Sequence, residues 1–408
     1  MGTDLHGSEY GDVVLFLATA GVVVPVLRRW GISPILGFLL AGVILGPYSL
    51  GAFRATVPWL RYVTIGNPRE MAQLAEFGVV FLLFRIGLEL SWERLRTMRR
   101  LVFGLGGTQV LVSGAAISAG AMGLGLDVIP AVVVGVALAL SSTAMVMPLL
   151  AARRRQHSRA GRAIFSVLLL QDLAVAPILI TLGVLAANRG ESFSPVMLLA
   201  FAPALGGLAV LVALGRIVLR PIMRSVARAD VQELFVAASL LVVIGAGLAA
   251  AVAGISMALG AFIAGLLLAE TEHRKRIERT VEPFAGLLLG VFFVSVGASL
   301  DLSVLAADPV LVCGIMASVI AVNALVVFGL ARLFGLGTTS AVECALMLAA
   351  SGEFAFVVLQ TAMQQNLLAR SIGNTILVAS ILSMFCIPLL WGLAAAIRRR
   401  GVVERLPG

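Results

Sequence analysis

FSVLLLQDLAVAP, residues 165–177, carries two strongly polar side chains, Gln171 and Asp172, in the middle of a long apolar run. If this run crosses a membrane, the carboxylate of Asp172 lies deep in the hydrocarbon region. A charge at that depth is costly unless it faces a partner or a water-filled cavity, so an intramembrane acid is a functional-site hypothesis by default. The alternative is a structural acid that is hydrogen-bonded within a helix bundle.

The composition of the chain is that of an integral membrane protein. Of its 408 residues, 60% are hydrophobic and 12% are charged, whereas about 25% of a soluble chain is charged. The net charge of +9 does not indicate a nucleic-acid partner, because the cations flank apolar segments and set topology instead. The three cysteines stand alone and are read as small core residues, so we expect no disulfide or metal framework.

Apolar segments of about 20 residues are long enough to span a bilayer. The sequence predicts an all-α protein with about thirteen such spans. They cover residues 12–27, 33–50, 71–90, 101–123, 128–151, 162–187, 196–219, 232–253, 255–270, 281–300, 309–333, 340–363 and 371–397.

The basic residues predict the orientation of these spans. With the N-terminus outside, 24 of the 30 Lys and Arg residues fall in cytoplasmic loops, at the cytoplasmic ends of spans or in the C-terminal tail, five fall in outside loops, and Arg85 falls within a span. Cytoplasmic loops carry such an excess of Lys and Arg. We therefore expect a multi-pass protein of the cell (plasma or inner) membrane, with its N-terminus outside and its C-terminus cytoplasmic.

Two of the spans are interrupted by small polar residues near their middle. An odd number of spans allows two halves plus an extra helix, and inverted repeats of this kind are common in secondary transporters. If the helices break at the polar residues, freed backbone groups can coordinate a cation; the alternative is two ordinary helices with hydroxyls bonded to their own backbone. The residues concerned are Ser141, Ser142 and Thr143 in the fifth span and Ser351, Gly352 and Glu353 in the twelfth.

Asp172 suits the exchange of a proton for a cation. Desolvation disfavours its charged form, so the group can hold either a proton or a cation, but not both. Gln171 beside it offers a neutral carbonyl oxygen without adding a second negative charge. We expect these two residues, with Ser141, Ser142 and Thr143, to form the ion site. We also expect no cofactor and no metal beyond the transported cation.

Four further polar residues need an interpretation. Glu353 either bonds helix ends or balances charge, with the structural role favoured. Arg85 and Glu89 are four residues apart on one helix face and are expected to form a structural ion pair. Asn323, the strongly polar side chain of the eleventh span, is expected to make an interhelical hydrogen bond.

At these residues the chain resembles the Kef-type branch of the monovalent cation:proton antiporter-2 family. The matching stretches run almost from end to end. They are GFLLAGVILGP (37–47), GLEL (87–90), ALSSTAMVMPLL (139–150), LLLQDLAVAP (168–177), the long segment 259–302 and GEFAFVV (352–358).

The resemblance implies a sodium/proton-antiporter-like fold of thirteen helices, with two inverted repeats and crossed broken helices. Residues 1–408 then form a single transporter domain. Its dimerisation scaffold comprises 12–90 and 232–300, and its ion-transport core comprises 101–187 and 309–397. A linker helix covers 196–219, and 398–408 form a short cytoplasmic tail.

The resemblance also implies site roles and partners. Asp172 matches the ion-binding Asp, and Gln171 matches the Gln of potassium-preferring relatives. Asn323 departs from the family pattern, because many members have Lys or Arg there, and Arg85 replaces an apolar residue. Kef-type proteins often continue into a nucleotide-binding regulatory domain, whereas this chain stops at Gly408, so gating through such a domain is not expected. The resemblance implies a homodimer and allows a regulatory subunit on a separate chain.

These observations predict an antiporter that exchanges potassium for protons by alternating access. Sodium/proton exchange is one alternative, and a cation channel or gated potassium efflux pore of the same fold is another. A sensor that no longer transports is a third, and the intact Gln171–Asp172 pair speaks against it. An enzyme is not expected, because the sequence shows no nucleophile paired with a base.

Overall fold

The computed structural model describes residues 5–29, 33–66, 68–89, 98–187, 202–229, 231–252 and 256–403. These residues form helices and no strand, with one isolated antiparallel bridge between Ser141 and Ser351. The prediction of an all-α membrane fold is confirmed for this part of the chain.

The first half of the described chain contains nine α-helices. Short π-helical segments at Thr19–Val23 and Arg100–Gly106 lead into the second and fifth of them. The helices are α1 Leu5–Ala18, α2 Val24–Arg29, α3 Pro34–Leu45, α4 Pro68–Glu89, α5 Gly107–Gly123, α6 Val128–Ala139, α7 Thr143–Ala152, α8 Arg159–Ala187 and α9 Ala202–Ala229.

The second half contains nine more. They are α10 Gln232–Val252, α11 Met257–Ala269, α12 Arg274–Ala298, α13 Leu302–Ala307, α14 Pro309–Leu333, α15 Thr338–Met347, α16 Glu353–Gln364, α17 Arg370–Phe385 and α18 Ile387–Val403.

The predicted count of thirteen spans is not confirmed. Among the described residues, eight helices are long and apolar enough to cross a membrane, or nine if α17 and α18, bent by 42°, count as one span. The count is lower partly because interrupted spans are split into helices of ten to thirteen residues, such as α6, α7 and α11.

Two predicted segments lie partly outside the described residues. Residues 196–201 of the predicted linker helix are outside, and the next helix, α9, runs to Ala229, past the predicted end at 219. Residues 404–408 of the predicted tail are also outside the description. The break between the spans 232–253 and 255–270 falls at residues 253–255, which are not described either.

The chain divides into two compact units. The first consists of Met1–Arg94 and Leu179–Leu300, and the second of Leu95–Ile178 and Asp301–Gly408. Each unit is built from two separate stretches of sequence. The roles of scaffold and ion-transport core stay predictions.

In the first unit, α4 packs closely against α11 and α12. A Cβ added at Gly87 would lie 2.9 Å from Leu266 N, and one added at Gly265 would lie 2.9 Å from Leu88 N. Because these glycines face the opposite backbone, α4 and α11 approach more closely than bulkier residues would allow. Aromatic side chains, including Phe81 and Phe235, fill the core beside them.

In the second unit, α5 packs on α6, α14 on α15, and α16 on α6. The gaps between α6 and α7 and between α15 and α16 are where the two predicted broken spans lie. This unit therefore holds both interruptions and the polar residues around them.

Candidate functional site

The fifth predicted span is two helices. α6 ends at Ala139 and α7 begins at Thr143, and Leu140 and Ser142 between them have extended backbone, with ψ of 128° and 104°. The Ser142 hydroxyl accepts a hydrogen bond from Met145 N at 3.3 Å, which is the bond an N-cap serine makes. The predicted break in this helix is confirmed.

The twelfth predicted span is broken in the same way, and the two breaks cross. Residues 348–352 separate α15 from α16. Ser141 and Ser351 form an antiparallel bridge, and Gly352 N donates to Leu140 O at 2.8 Å. Non-helical backbone at membrane depth is tolerated where it is buried in protein. Here backbone groups of one break form hydrogen bonds with backbone groups of the other.

Asp172 lies on α8 at the first break and is 5% exposed. Thr143 Oγ1 donates to Asp172 Oδ1 at 2.9 Å, so the predicted contact between these residues is present. Thr143 is the first residue of α7, and the positive end of a helix dipole favours a carboxylate there. Carboxylate and hydroxyl oxygens are ligands that hard cations prefer. The Asp172 carboxylate is therefore chemically suited to hold a proton or a hard cation.

Gln171 is fully buried and hydrogen-bonds the first break. Its Oε1 accepts from Ser141 N at 2.9 Å, and its Nε2 donates to Gln109 Oε1 at 2.8 Å and to Ala139 O at 3.2 Å. The sequence suggested that this carbonyl oxygen would face the cation beside Asp172. In the structure that oxygen holds a backbone N–H, so Gln171 orders the break in this conformation.

Glu353 places one carboxylate at the start of two helices. It is 2% exposed, and it accepts from Ser142 Oγ at 2.6 Å and from Ala144 N at 3.2 Å. These bonds cap α7, and Glu353 is itself the first residue of α16. Because both helix N-termini carry positive partial charge, the carboxylate stabilises the crossing.

Asn323 bonds the opposite ends of the half-helices. It is fully buried, and its Nδ2 donates to Leu138 O at 2.9 Å and to Ala349 O at 3.3 Å. These carbonyls lie near the C-terminal ends of α6 and α15, where the partial charge is negative. The interhelical hydrogen bond predicted for Asn323 is thus present, and it is made to both halves of the crossing.

A family model described as "Sodium/hydrogen exchanger, transmembrane" matches residues 13–392. The chain belongs to the sodium/hydrogen exchanger family. It is therefore a multi-pass membrane cation:proton antiporter and not an enzyme. The Kef-type branch is a finer assignment than this match shows, and it stays a prediction.

The fold of this exchanger is similar to that of a solved antiporter. A structure of the sodium proton antiporter MjNhaP1 from Methanocaldococcus jannaschii at pH 8 has a TM-score of 0.68 and 19% identity, and the match covers 95% of this chain and 97% of that one. A second structure of MjNhaP1, from an electron microscopy map, has a TM-score of 0.63 and 18% identity over 98% and 99% of the two chains. At these identities the likeness shows the fold alone.

Sequence reasoning missed two residues that hold the breaks of this exchanger. Gln109 on α5 is fully buried and donates to Ala139 O at 3.0 Å. Ser383 on α17 is also fully buried and accepts from Ser351 N at 3.2 Å. Gln109 could have been found by the criterion that singled out Gln171, because both are amides inside an apolar run.

A buried acid that the sequence analysis did not single out lies away from the crossing. Glu343 on α15 is 1% exposed and binds Arg155 through two bonds, of 3.0 Å to Nε and 2.6 Å to Nη2. Arg398 Nη1 lies 3.5 Å from the same carboxylate. Such bidentate Arg–carboxylate pairs are strong and geometrically specific. Through Arg155, Glu343 ties the segment after α7 to the first half of the second broken span, and through Arg398 it ties the C-terminal helix there as well.

The predicted pair of Arg85 and Glu89 is formed in the other unit. Arg85 Nε lies 3.1 Å from Glu89 Oε1, and each of the two side chains has more than a third of its surface exposed. Arg274 Nη2 also donates to Glu89 O at 3.2 Å. The ion pair lies within α4, and the bond from Arg274 joins the end of α4 to the start of α12.

Proposed function

We propose that this exchanger moves potassium in one direction and protons in the other, with the two ions competing for the carboxylate of Asp172. The observation that carries this proposal is the 2.9 Å bond from Thr143 to Asp172 at the start of α7. It brings a buried acid, a hydroxyl and the end of a broken helix together.

Competition at one carboxylate is sufficient for exchange. When Asp172 is protonated it is neutral and has lost its attraction for a cation. When a cation arrives, the ionised form is favoured and the proton leaves. Alternating access then requires only that the loaded site open to each side in turn, because an empty, charged carboxylate is costly to bury.

The residues around Asp172 support this role by stabilising the crossing of the two breaks. Glu353 offsets the positive ends of α7 and α16, and Asn323 bonds the carbonyls at the ends of α6 and α15. In our proposal these residues, with Ser141, Ser142, Ser351 and Gly352, stabilise the crossing. Thr143 and Asp172 face the ion.

Potassium is proposed because Gln171 precedes Asp172, the pattern that resembles potassium-preferring relatives. Sodium/proton exchange is the second candidate. It is favoured by the likeness in fold to MjNhaP1, which is described as a sodium proton antiporter. Both candidates use the same site, and cavity size and ligand number decide between the two cations.

The membrane location, orientation and oligomeric state that we propose rest on the distribution of basic residues and on the family resemblance. Basic residues concentrate in the loops and tail assigned to the cytoplasm, which supports a cell (plasma or inner) membrane location with the N-terminus outside. We propose a homodimer, with scaffold helices in 12–90 and 232–300 and the ion site in the other unit. A regulatory subunit on a separate chain is compatible with this arrangement.

Ion-driven proton movement in proteoliposomes tests the function. Adding potassium outside vesicles that contain the purified protein should raise the internal pH, read by a trapped pH-sensitive dye. Sodium and lithium are added in turn to rank the cations. A channel would pass potassium without the pH change when the membrane potential is held at zero, and that result would contradict the proposal.

We expect this exchange to be electroneutral, with one proton for one monovalent cation. Asp172 is the carboxylate we assign to transport, and Asn323, which bonds the carbonyls of both broken spans, cannot titrate. The loaded site is then equally charged in both half-cycles. Because one charge crossing a membrane potential is worth about 2.3 kcal/mol per 100 mV, an imposed potential should leave the rate almost unchanged.

The measurement is the exchange rate at several ionophore-set potentials, together with current on a solid-supported membrane. Protein-free vesicles give the leak at each potential. A transport current that reverses away from the 1:1 equilibrium would rule out electroneutrality and indicate a second titrating group, with Glu353 as the first to test.

A further inference from the structure

Gln109 is connected to Asp172 through Gln171, the neighbour of Asp172 in the chain. It lies on α5 with no exposed surface, and its Oε1 accepts from Gln171 Nε2 at 2.8 Å. Its own Nε2 donates to Ala139 O at 3.0 Å and to Ser113 Oγ at 3.2 Å. Every polar atom of the Gln109 side chain is thus engaged by a group of α5, α6 or α8.

These bonds reinforce the orientation of the Gln171 amide, whose nitrogen also donates to Ala139 O at 3.2 Å. A backbone carbonyl only accepts hydrogen bonds, so Ala139 O requires the nitrogen of Gln109. The oxygen of Gln109 therefore faces Gln171 and requires its nitrogen in turn. This leaves Gln171 Oε1 directed at Ser141 N, where the 2.9 Å bond is found.

The second break is held by an equivalent pair of contacts. Asn323 Nδ2 donates to Ala349 O at 3.3 Å, as Gln109 Nε2 donates to Ala139 O. Ser383 Oγ accepts from Ser351 N, as Gln171 Oε1 accepts from Ser141 N. At each break, therefore, one amide side chain bonds the carbonyl two residues before the bridging serine, and a second side chain accepts from the N–H of that serine.

The two breaks differ in one respect. Gln171 and Ser383 each accept from a serine N–H, and the residues that follow them are different. Gln171 is followed by Asp172, whereas Ser383 is followed by Met384. Only the first set of contacts adjoins the proposed ion carboxylate. A displacement of Gln171 would therefore also displace its neighbour Asp172 and, through Ser141, Thr143.

We propose that Gln109 is a positioning residue for the cation, acting through Gln171 to hold the break where Thr143 meets Asp172. This inference rests on the proposed function, because it assumes that the cation binds at Asp172. Its consequence is specific. Loss of the Gln109 amide should weaken cation binding while leaving the fold and the maximal turnover largely in place.

The test is Gln109→Met, which keeps the length and volume of the side chain and removes its hydrogen bonds. Loss of a net hydrogen bond of about 1.4 kcal/mol corresponds to a factor of about ten, so we expect the KM for the preferred cation to rise about tenfold. The maximal rate should stay within about twofold. Gln364→Met, at an exposed position of α16, is the matched control and should change neither quantity.

A second readout does not depend on transport. Cation binding stabilises the folded protein by mass action, so the cation concentration that gives half of the thermal stabilisation should rise by the same factor in Gln109→Met. If this variant does not fold, Ser113→Ala decides the question. It removes one of the two acceptors of Gln109 Nε2 and should raise the same concentration by a smaller factor.

A double-mutant cycle separates positioning from general packing. If Gln109 acts through Gln171, then Gln109→Met added to Gln171→Met should cause no further loss of cation affinity. Additive losses, or a lower maximal rate with an unchanged KM, would overturn the inference. Failure of the proposed function looks different, because the wild-type protein itself would then show no cation-driven proton flux.

Discussion

Asp172→Asn should reduce cation-driven proton flux to the leak of protein-free vesicles, while the protein still folds. Asn is nearly isosteric with Asp, and its carbonyl oxygen can still accept the bond from Thr143 Oγ1 that measures 2.9 Å in the structure. It can neither release a proton nor attract a cation by charge. The measurement is exchange in proteoliposomes with potassium, sodium and lithium at matched protein content.

The unfolding temperature in detergent tells whether Asp172→Asn acts on transport or on the fold. Asn removes a carboxylate whose charged form is costly to desolvate and can keep the bond from Thr143 Oγ1, so we expect no fall in that temperature. Asp127→Asn is the matched control. Asp127 is exposed at the start of α6 and makes no capping bond there, so this variant should exchange normally. Near wild-type exchange by Asp172→Asn would make Asp172 a structural acid.

The sequence was sufficient to predict the two helix breaks and the contact between Thr143 and Asp172. Both predictions rest on the residues together with the resemblance. Small polar residues in an apolar run can bond the backbone of an unbroken helix or of a broken one, and the resemblance to antiporters with crossed broken helices favoured the break. A deep acid needs a partner. The apolar runs likewise predicted the all-helical membrane fold, whereas the orientation predicted from the basic residues stays a prediction.

The roles of Gln171 and Gln109 could not be predicted in the same way. Which hydrogen bond an amide makes depends on the group that lies opposite it, and the two glutamines are 62 residues apart on different helices. The sequence placed Gln171 beside the ion because Asp172 is its neighbour in the chain. On a helix, however, adjacent residues point in different directions, so Gln171 turns to the break.

Glu343 shows the same limit on reasoning from the sequence. In the sequence it is an acid near the start of a predicted span, which could face solvent. Its burial depends on Arg155 and Arg398, which approach it from segments far away in the chain.

The number of spans also depends on three-dimensional packing, because a broken span can only be counted once its two halves are seen to align.

Gly352→Ala should disrupt the crossing and transport together. Gly352 has φ −104° and ψ −178°, extended backbone that alanine also adopts, so the effect is steric. A Cβ at this position would lie 2.5 Å from the carbonyl carbon of Ser141 and 2.8 Å from Ser142 N. Real Cβ atoms do not approach other atoms so closely, and one of the two segments must move.

Ser141 cannot move away without losing its own hydrogen bonds. Its N–H is held by Gln171 at 2.9 Å and its hydroxyl by Leu348 O at 2.9 Å. Forcing extra volume into a packed site costs about 1–3 kcal/mol, so the unfolding temperature of Gly352→Ala should fall. Because a misplacement of about 1 Å can cost a reacting site on the order of 100-fold, we expect the exchange rate to fall at least about tenfold.

Gly314→Ala is the matched control for Gly352→Ala, because Gly314 lies within α14 and a Cβ there would meet nothing within 4 Å. Alanine is also the better helix former, so this control should unfold at the same or a higher temperature and exchange normally. Exchange rate and unfolding temperature are measured on both variants in the same lipid and detergent. If Gly352→Ala matched its control in both, the close crossing of the two breaks would not be needed for transport. A variant that unfolds earlier but exchanges at the wild-type rate would limit the crossing to a structural role.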